Sequence, residues 1–175
     1  KFAPLSIYAL SKASAFHICE FYKNIFNLRV YGGIFFNHES ERRTPEYVTR
    51  KITKSVARIY YNKQKKLCLG DISAKIDWGY ARDYVEASYK IMQLKKPDYF
   101  VIGSGKAHSV KEFVKRCFAY VGLNFKKYIS IDKKLIRKNK NKTLVADTRK
   151  ANKIFNFKPK TNINTLIKIM MENDL

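Results

Sequence analysis

The stretch Ser6-Ile7-Tyr8-Ala9-Leu10-Ser11-Lys12 sets a phenol and an ammonium four residues apart, which on a helix places both on one face. An ammonium beside a phenol favours the phenolate, so Tyr8 and Lys12 form a candidate acid/base pair able to exchange a proton near neutral pH. The spacing is not unique, because Tyr47/Lys51 and Tyr61/Lys65 repeat it in a chain with 12 tyrosines. On an exposed helix face the same pairing simply lays a lysine stem over an aromatic ring. The elements around each pair must decide which one can do chemistry.

Ser6 is a candidate N-cap for a helix running to about Asn24, with Ala9, Ala13, Phe16 and Ile25 along its apolar stripe. Residues 28–36 are rich in branched and aromatic side chains, broken only by Gly32-Gly33. They read as a buried strand whose glycines permit close backbone approach. Helix followed by buried strand is the rhythm of a parallel α/β sheet. Ligands of such sheets gather beyond the carboxyl ends of the strands. The polar cluster Asn37-His38-Glu39-Ser40-Glu41-Arg42-Arg43 falls there and reads as a loop.

Pro45 suits the first turn of the next helix, along which Val48, Ile52, Val56 and Ile59 recur. Residues 67–71 read as a short strand. Asp77 reads as the cap of a helix to about Gln93, with Trp78, the single tryptophan, packed at its base. Residues 98–102 form a strand entering the turn Gly103-Ser104-Gly105, and Ser109-Val110-Lys111-Glu112 has the spacing of a capping box. A strand over 126–131, a short helix capped by Asp147 and ending near Phe155, and a last helix over about 163–171 complete the reading.

The 175 residues, 46% apolar, suffice for one domain with a sizeable core. The formal charge of +22 raises the question of a polyanionic partner. The lysines are spread along the whole chain, however, and the densest run, 133–142, reads as a solvated loop, so no nucleic acid partner is expected. Cys19, Cys68 and Cys117 make no Cys-x-x-Cys pair and read as buried thiols of a reducing compartment. His17, His38 and His108 lack metal-ligand spacing, so no metal is expected. No apolar run is long enough for a membrane helix and no signal-peptide pattern opens the chain, which makes a cytoplasmic protein without a membrane partner the expectation. The chain opens on Lys1 rather than Met, and the expectation is a fragment or processed product.

An ordered series of segments carries a resemblance. It comprises Ser6 to Lys12, Phe36-Asn37-His38-Glu39-Ser40, Arg42-Arg43, Val48-Thr49-Arg50-Lys51-Ile52-Thr53 and Leu69-Gly70-Asp71. It continues with Asp77-Trp78-Gly79, Asp83-Tyr84-Val85, Ser109-Val110-Lys111-Glu112-Phe113 and residues 147–159. In this order they resemble the extended short-chain dehydrogenase/reductase family and, within it, the GDP-mannose 4,6-dehydratases. The Tyr and Lys are common to the superfamily, whereas the Asn-His-Glu-Ser strand end followed by Val-Thr-Arg-Lys-Ile is particular to these dehydratases.

The resemblance implies an α/β fold: part of an NAD(P)-binding Rossmann-type parallel sheet, from residues 1–37 and about 75–102, plus a small α/β nucleotide-sugar-binding region from about 38–74 and 103–175. It implies Tyr8 as catalytic acid/base, and Lys12 as the residue that lowers its pKa and holds the nicotinamide ribose, so that both also contact the cofactor. His38 and Arg43 match NADP contacts, and Asn37, Lys51 and Arg137 match contacts to the GDP moiety of GDP-mannose. The implied reaction has Tyr8 take the C4 hydroxyl proton as hydride passes to NADP. Water is then lost across C5 and C6 and hydride returns to C6, giving GDP-4-dehydro-6-deoxymannose. The family also implies a homodimer or homotetramer for the full-length protein.

Ile76 stands where the family has an Arg, and Lys140 where its loop carries a Glu, so both bear on substrate recognition. The family's Gly-rich dinucleotide turn, and the Thr and Glu that precede its Tyr, are not in this chain, which makes the expectation a C-terminal portion that is inactive alone. The other readings are a different nucleotide-sugar epimerase or dehydratase of the same family and, more remotely, a non-catalytic basic module that binds nucleic acid.

Overall fold

In the computed structural model, which describes residues 3–136 and 143–175, Ser6 caps the first helix, its hydroxyl accepting from the Ala9 amide at 3.0 Å. The chain then runs α1 (Ile7–Ile25), β1 (Gly32–Phe35), β2 (Asn37–Glu39), α2 (Val48–Tyr60), β3 (Leu67–Leu69), β4 (Lys75–Tyr80) and α3 (Ala81–Met92). It continues through β5 (Tyr99–Ile102), β6 (Ala107–Ser109), α4 (Val110–Tyr120), β7 (Ile129–Ile131), α5 (Arg149–Phe155) and α6 (Ile163–Asp174). Arg137 and Lys140 lie outside the described residues.

Strand pairing is mainly parallel. β1 lies beside β5 from Gly32↔Tyr99 to Phe35↔Ile102, and β2 beside β4 from Asn37↔Trp78 to Glu39↔Tyr80. β3 pairs with β7, while β6 adds to the far edge of β4 in the antiparallel sense, bringing His108 opposite Ile76. Gly32 is required where it stands, because a Cβ there would come within 2.1 Å of the Tyr99 ring.

Two apolar clusters hold these elements together. In the larger, the fours-spaced face of α2 (Ile52, Val56, Ile59) packs on Phe113, Val114 and Phe118 of α4 and on Leu166 and Met170 of α6, with Trp78 of β4 inserted beside Phe113 at 5.3 Å between ring centroids. The smaller joins Tyr84, Ala87 and Ile91 of α3 to Phe100 and Ile102 of β5 and to Ala151 and Phe157.

Several local expectations are corrected. β1 is not buried: Ile34 and Phe35 remain 44% and 42% exposed, because α1 contributes no buried residue over it. Regular pairing starts only at Gly32, since Arg29 and Tyr31 reach the Lys95 and Leu94 carbonyls through their side chains. Asn37, His38 and Glu39 form a strand rather than a loop, because β4 offers its backbone alongside. Pro45 lies inside a turn closed by the Tyr47 amide on the Thr44 carbonyl, not in the first turn of the helix, and α2 starts at Val48.

Asp77 is inside β4 and caps no helix; α3 begins only after Tyr80. The strand expected from 126 begins at Ile129, after a 3-10 turn over Phe125–Lys127 capped by Asn124. Asp147 accepts from the Arg149 amide while Thr148 occupies the cap position of α5. α6 runs on to Asp174, which is held by a buried ion pair with Arg50. Of the three cysteines, only Cys117 is buried.

Candidate functional site

Tyr8 and Lys12 occupy the first turns of α1, both exposed, Tyr8 at 72%. The Lys12 ammonium lies over the Tyr8 ring, 5.6 Å from its centroid, so the two share the helix face that their spacing requires. Further along the helix, Phe16 meets the Tyr99 ring at 4.9 Å and Lys23 stands 5.2 Å over it, which seats the middle and end of α1 at the start of β5. Residues 26–31 then connect α1 to β1.

The two rival pairs are placed differently. The Tyr61 hydroxyl is engaged by the Leu175 carbonyl oxygen at 2.8 Å. The Tyr47 ring is covered by the Arg43 guanidinium at 3.4 Å from its centroid. Neither Tyr lies on α1.

Beyond β1, the Phe36 amide still bonds to the Ile102 carbonyl at 2.9 Å, and β2 follows at once. His38 Nδ1 sits 2.9 Å from the Phe36 carbonyl oxygen, and its ring lies 5.1 Å from that of Tyr84. Asn37 is exposed, and its carbonyl accepts from the Tyr84 hydroxyl at 3.4 Å. Glu39 is buried. It accepts from Thr49 at 2.5 Å and lies 3.5 Å from Arg43 Nε. Burial pushes the Glu39 carboxyl up, against the opposing pull of Thr49, Arg43 and His38. Lys51, half-buried, stands one turn into α2 with its amide on the Tyr47 carbonyl at 2.8 Å.

Asn37, His38, Arg43 and Lys51 thus lie on one continuous segment that runs from β2 into the first turn of α2. Arg137 lies outside the described residues, so nothing places it with them.

Asp77 was missed as a site-forming residue. Its carboxylate, 1% exposed, accepts from the Ser104 amide at 2.9 Å, the Ser104 hydroxyl at 2.6 Å, and the Gly105 and Ala146 amides at 3.0 Å each. Asp83 does the same for the Lys160 and Thr161 amides at 3.0 and 2.9 Å. Both carboxyl groups pin backbone that is distant in sequence by accepting its amide hydrogen bonds. Ile76 packs against the larger apolar cluster and brings no charge. Among the described residues no group of three or more His, Cys, Asp or Glu could hold a metal ion, and no helix is long and apolar enough to cross a membrane.

The profile of the family described as GDP-mannose 4,6 dehydratase matches residues 1–170. The chain belongs to that family. GDP-mannose 4,6 dehydratase 1 of Arabidopsis thaliana is 44% identical over 174 residues, a match covering 99% of this chain and 48% of the relative. GDP-mannose 4,6 dehydratase of Homo sapiens is 36% identical over 191 residues, covering 99% and 51%. The chain thus spans about half the length of the curated relatives it matches.

Among solved structures, RMD from Pseudomonas aeruginosa complexed with NADPH superposes with a TM-score of 0.90 at 18% identity, over 98% of this chain and 57% of that one. A dTDP-glucose 4,6-dehydratase from Bacillus anthracis in complex with NAD gives 0.84 at 22% identity, over 97% and 52%. These likenesses establish the Rossmann-type α/β fold of the dehydratase-family chain.

The residues present suit one part of a nicotinamide dinucleotide. A phenol and an ammonium stand exposed on one helix face, and His38 has Nδ1 committed to the Phe36 carbonyl oxygen. Arg43 Nε makes no hydrogen bond but lies 3.5 Å from the Glu39 carboxylate, with the guanidinium over the Tyr47 ring. For the pyrophosphate the chain has no Gly-x-x-Gly-x-x-Gly turn.

Proposed function

We propose that this chain supplies the Tyr-Lys and nucleotide-sugar side of an NADP-dependent GDP-mannose 4,6-dehydratase, a lyase that forms GDP-4-dehydro-6-deoxymannose and water. The observation that supports the reading is the family match over residues 1–170, beside Tyr8 and Lys12 sharing one exposed helix face and the parallel strand pairs that lead into Asn37 and His38. Residues 1–37 and about 75–102 form the dinucleotide side, and about 38–74 and 103–175 the sugar-nucleotide side. Bound NADP supplies the hydride acceptor for C4 and donor for C6 of the hexose, and is regenerated in each turnover.

Tyr8 takes the proton of the C4 hydroxyl, its exposed position leaving the phenol oxygen open to substrate. Lys12 holds the nicotinamide ribose. His38 and Arg43 contact the cofactor, and Asn37, Lys51 and Arg137 hold the GDP moiety. The base at C5 and the pyrophosphate turn belong to a part of the enzyme that these residues do not provide, so the chain by itself is inactive. The complete enzyme works in the cytoplasm as a homodimer or homotetramer, with no nucleic acid or membrane partner.

The test is turnover of GDP-mannose with NADP by the full-length enzyme that contains this sequence, read as formation of the 4-keto product. Tyr8→Phe is expected to lower kcat by about 10²- to 10⁴-fold, and unchanged turnover would refute the role. Ile76, packed in apolar surroundings, favours a second reading in which the enzyme is an epimerase or dehydratase for another nucleotide sugar. Competition between GDP-mannose and UDP-sugars decides between the two, a UDP preference selecting the second.

A further inference from the structure

The corner where β4 turns into α3 carries a side chain that neither the motif spacing nor the proposed reaction assigns. Tyr84, in the first turn of α3, is buried, and its ring fills the space directly over Gly79. A Cβ on Gly79 would stand 2.3 Å from the Tyr84 ring and 2.5 Å from its hydroxyl oxygen, so only glycine admits the ring in this place. Gly79 is in turn the register partner of His38 across the β2–β4 pair. The tyrosine therefore lies beside the imidazole, at 5.1 Å between centroids and a 39° tilt. Phe35 borders the same pair, 6.0 Å from Tyr84 and 6.3 Å from His38.

The hydrogen bonds complete the clamp. The Tyr84 hydroxyl reaches the Asn37 carbonyl at 3.4 Å, one residue before His38. Burial, with the Asp77, Asp83 and Glu39 carboxylates adding to it, pushes the Tyr84 phenol far up, so it remains a neutral donor. His38 Nδ1 faces the Phe36 carbonyl at 2.9 Å. A carbonyl oxygen only accepts, so a neutral imidazole must carry its proton on Nδ1 and present the lone pair of Nε2.

We infer that Tyr84, seated on Gly79, is a positioning residue that holds His38 with Nδ1 protonated, and that the ligand group received by Nε2 is a hydroxyl, of a ribose or hexose, rather than a phosphate. A lone pair accepts an O–H hydrogen bond and repels a phosphate oxygen. The inference rests on the reading of His38 as a ligand contact, and it narrows that contact to one chemical class.

The test begins with ¹⁵N-resolved imidazole spectra of the chain at a pH where His38 is neutral. The Nδ1–H tautomer is expected for His38, and a dominant Nε2–H tautomer overturns the inference in the unsubstituted protein, whatever the variants do. Tyr84→Phe keeps the ring and is expected to retain that pattern. Tyr84→Leu and Gly79→Ala remove or displace the ring and are expected to give averaged tautomer signals, with folding followed by circular dichroism. His38 signals unmoved in folded forms of both variants overturn the role of Tyr84.

In the full-length enzyme, Tyr84→Leu is expected to weaken NADP binding about tenfold, the scale of losing a residue that orients a ligand contact, with Tyr84→Phe within about twofold. Averaged tautomers together with unchanged affinity for both NADP and GDP-mannose would instead remove His38 from the ligand contacts.

Discussion

Helices α1 and α2 both carry apolar residues at helical spacing, far more one-sidedly in α2, and the molecule treats them in opposite ways. Eight of the thirteen residues of α2 are buried, and none of the nineteen of α1. The difference lies in what faces them. α2 meets α4 and α6, which bring Phe113, Phe118, Leu166 and Met170 to its stripe. α1 touches the sheet chiefly at Tyr99 and leaves Ile7, Ile18 and Ile25 more than half exposed. The candidate proton-transfer pair thus stands on the sparsely supported region, and the well-packed region supplies the rigid base from which β4 and its loops are hung.

Substitutions in the packed region are expected to break the fold first. Phe113 is fully buried against Trp78 and the α2 stripe, so Phe113→Ala should cost about 3–5 kcal/mol in urea unfolding, transfer and cavity terms combined. A cost below about 1 kcal/mol would mean that the contrast between the two regions is not one of packing.

Glu39 sits where the two regions meet, and its pH response sharpens the contrast. Burial raises its carboxyl above the ordinary 4.5, so the folded state holds this proton more tightly than the unfolded chain. The stability that protonation contributes is complete below about pH 4.5 and is lost as pH rises through the raised folded value. Glu39→Gln, which keeps an oxygen for Thr49, should remove this dependence. Unfolding free energies of the two proteins across that window should diverge as pH increases, the variant gaining relative to the parent. A parallel pair of profiles would show that Glu39 is not desolvated in solution. Removing its 2.5 Å hydrogen-bond donor with Thr49→Val should cost about 1–3 kcal/mol above that window, where the carboxylate is charged.

What could be read from the sequence was whatever depends on near neighbours. The fours-spaced stripe of α2 and the Ser109 cap, which accepts from the Glu112 amide at 3.1 Å, are local statements and hold. The Tyr8–Lys12 juxtaposition is also local, though two other pairs share its spacing. The other two differ in what their tyrosines touch, the Leu175 carbonyl for Tyr61 and the Arg43 guanidinium for Tyr47, which no spacing reveals. Asp77 was misread because an Asp before a periodic segment looks like a cap, while its true partners lie 27, 28 and 69 residues away. β2 was taken for a loop because three polar residues become a strand only when β4 is beside them. The exposed side of α1 was invisible for the same reason: periodicity announces a helix and is silent about what covers it.

The smallest effect is the most telling about that side. Ile18 lies on α1, 56% exposed, so Ile18→Ala forfeits little buried surface. The helix propensity of alanine offsets part of even that. The urea midpoint is therefore expected to move by no more than about 0.5 kcal/mol of stability, a tenth of the Phe113→Ala effect. The measurement belongs at two protein concentrations, because a face that is open in one copy can be covered by another. A cost above about 1 kcal/mol that grows with concentration would mean that α1 is packed in solution, and the difference between the two helices would then be one of assembly rather than of fold.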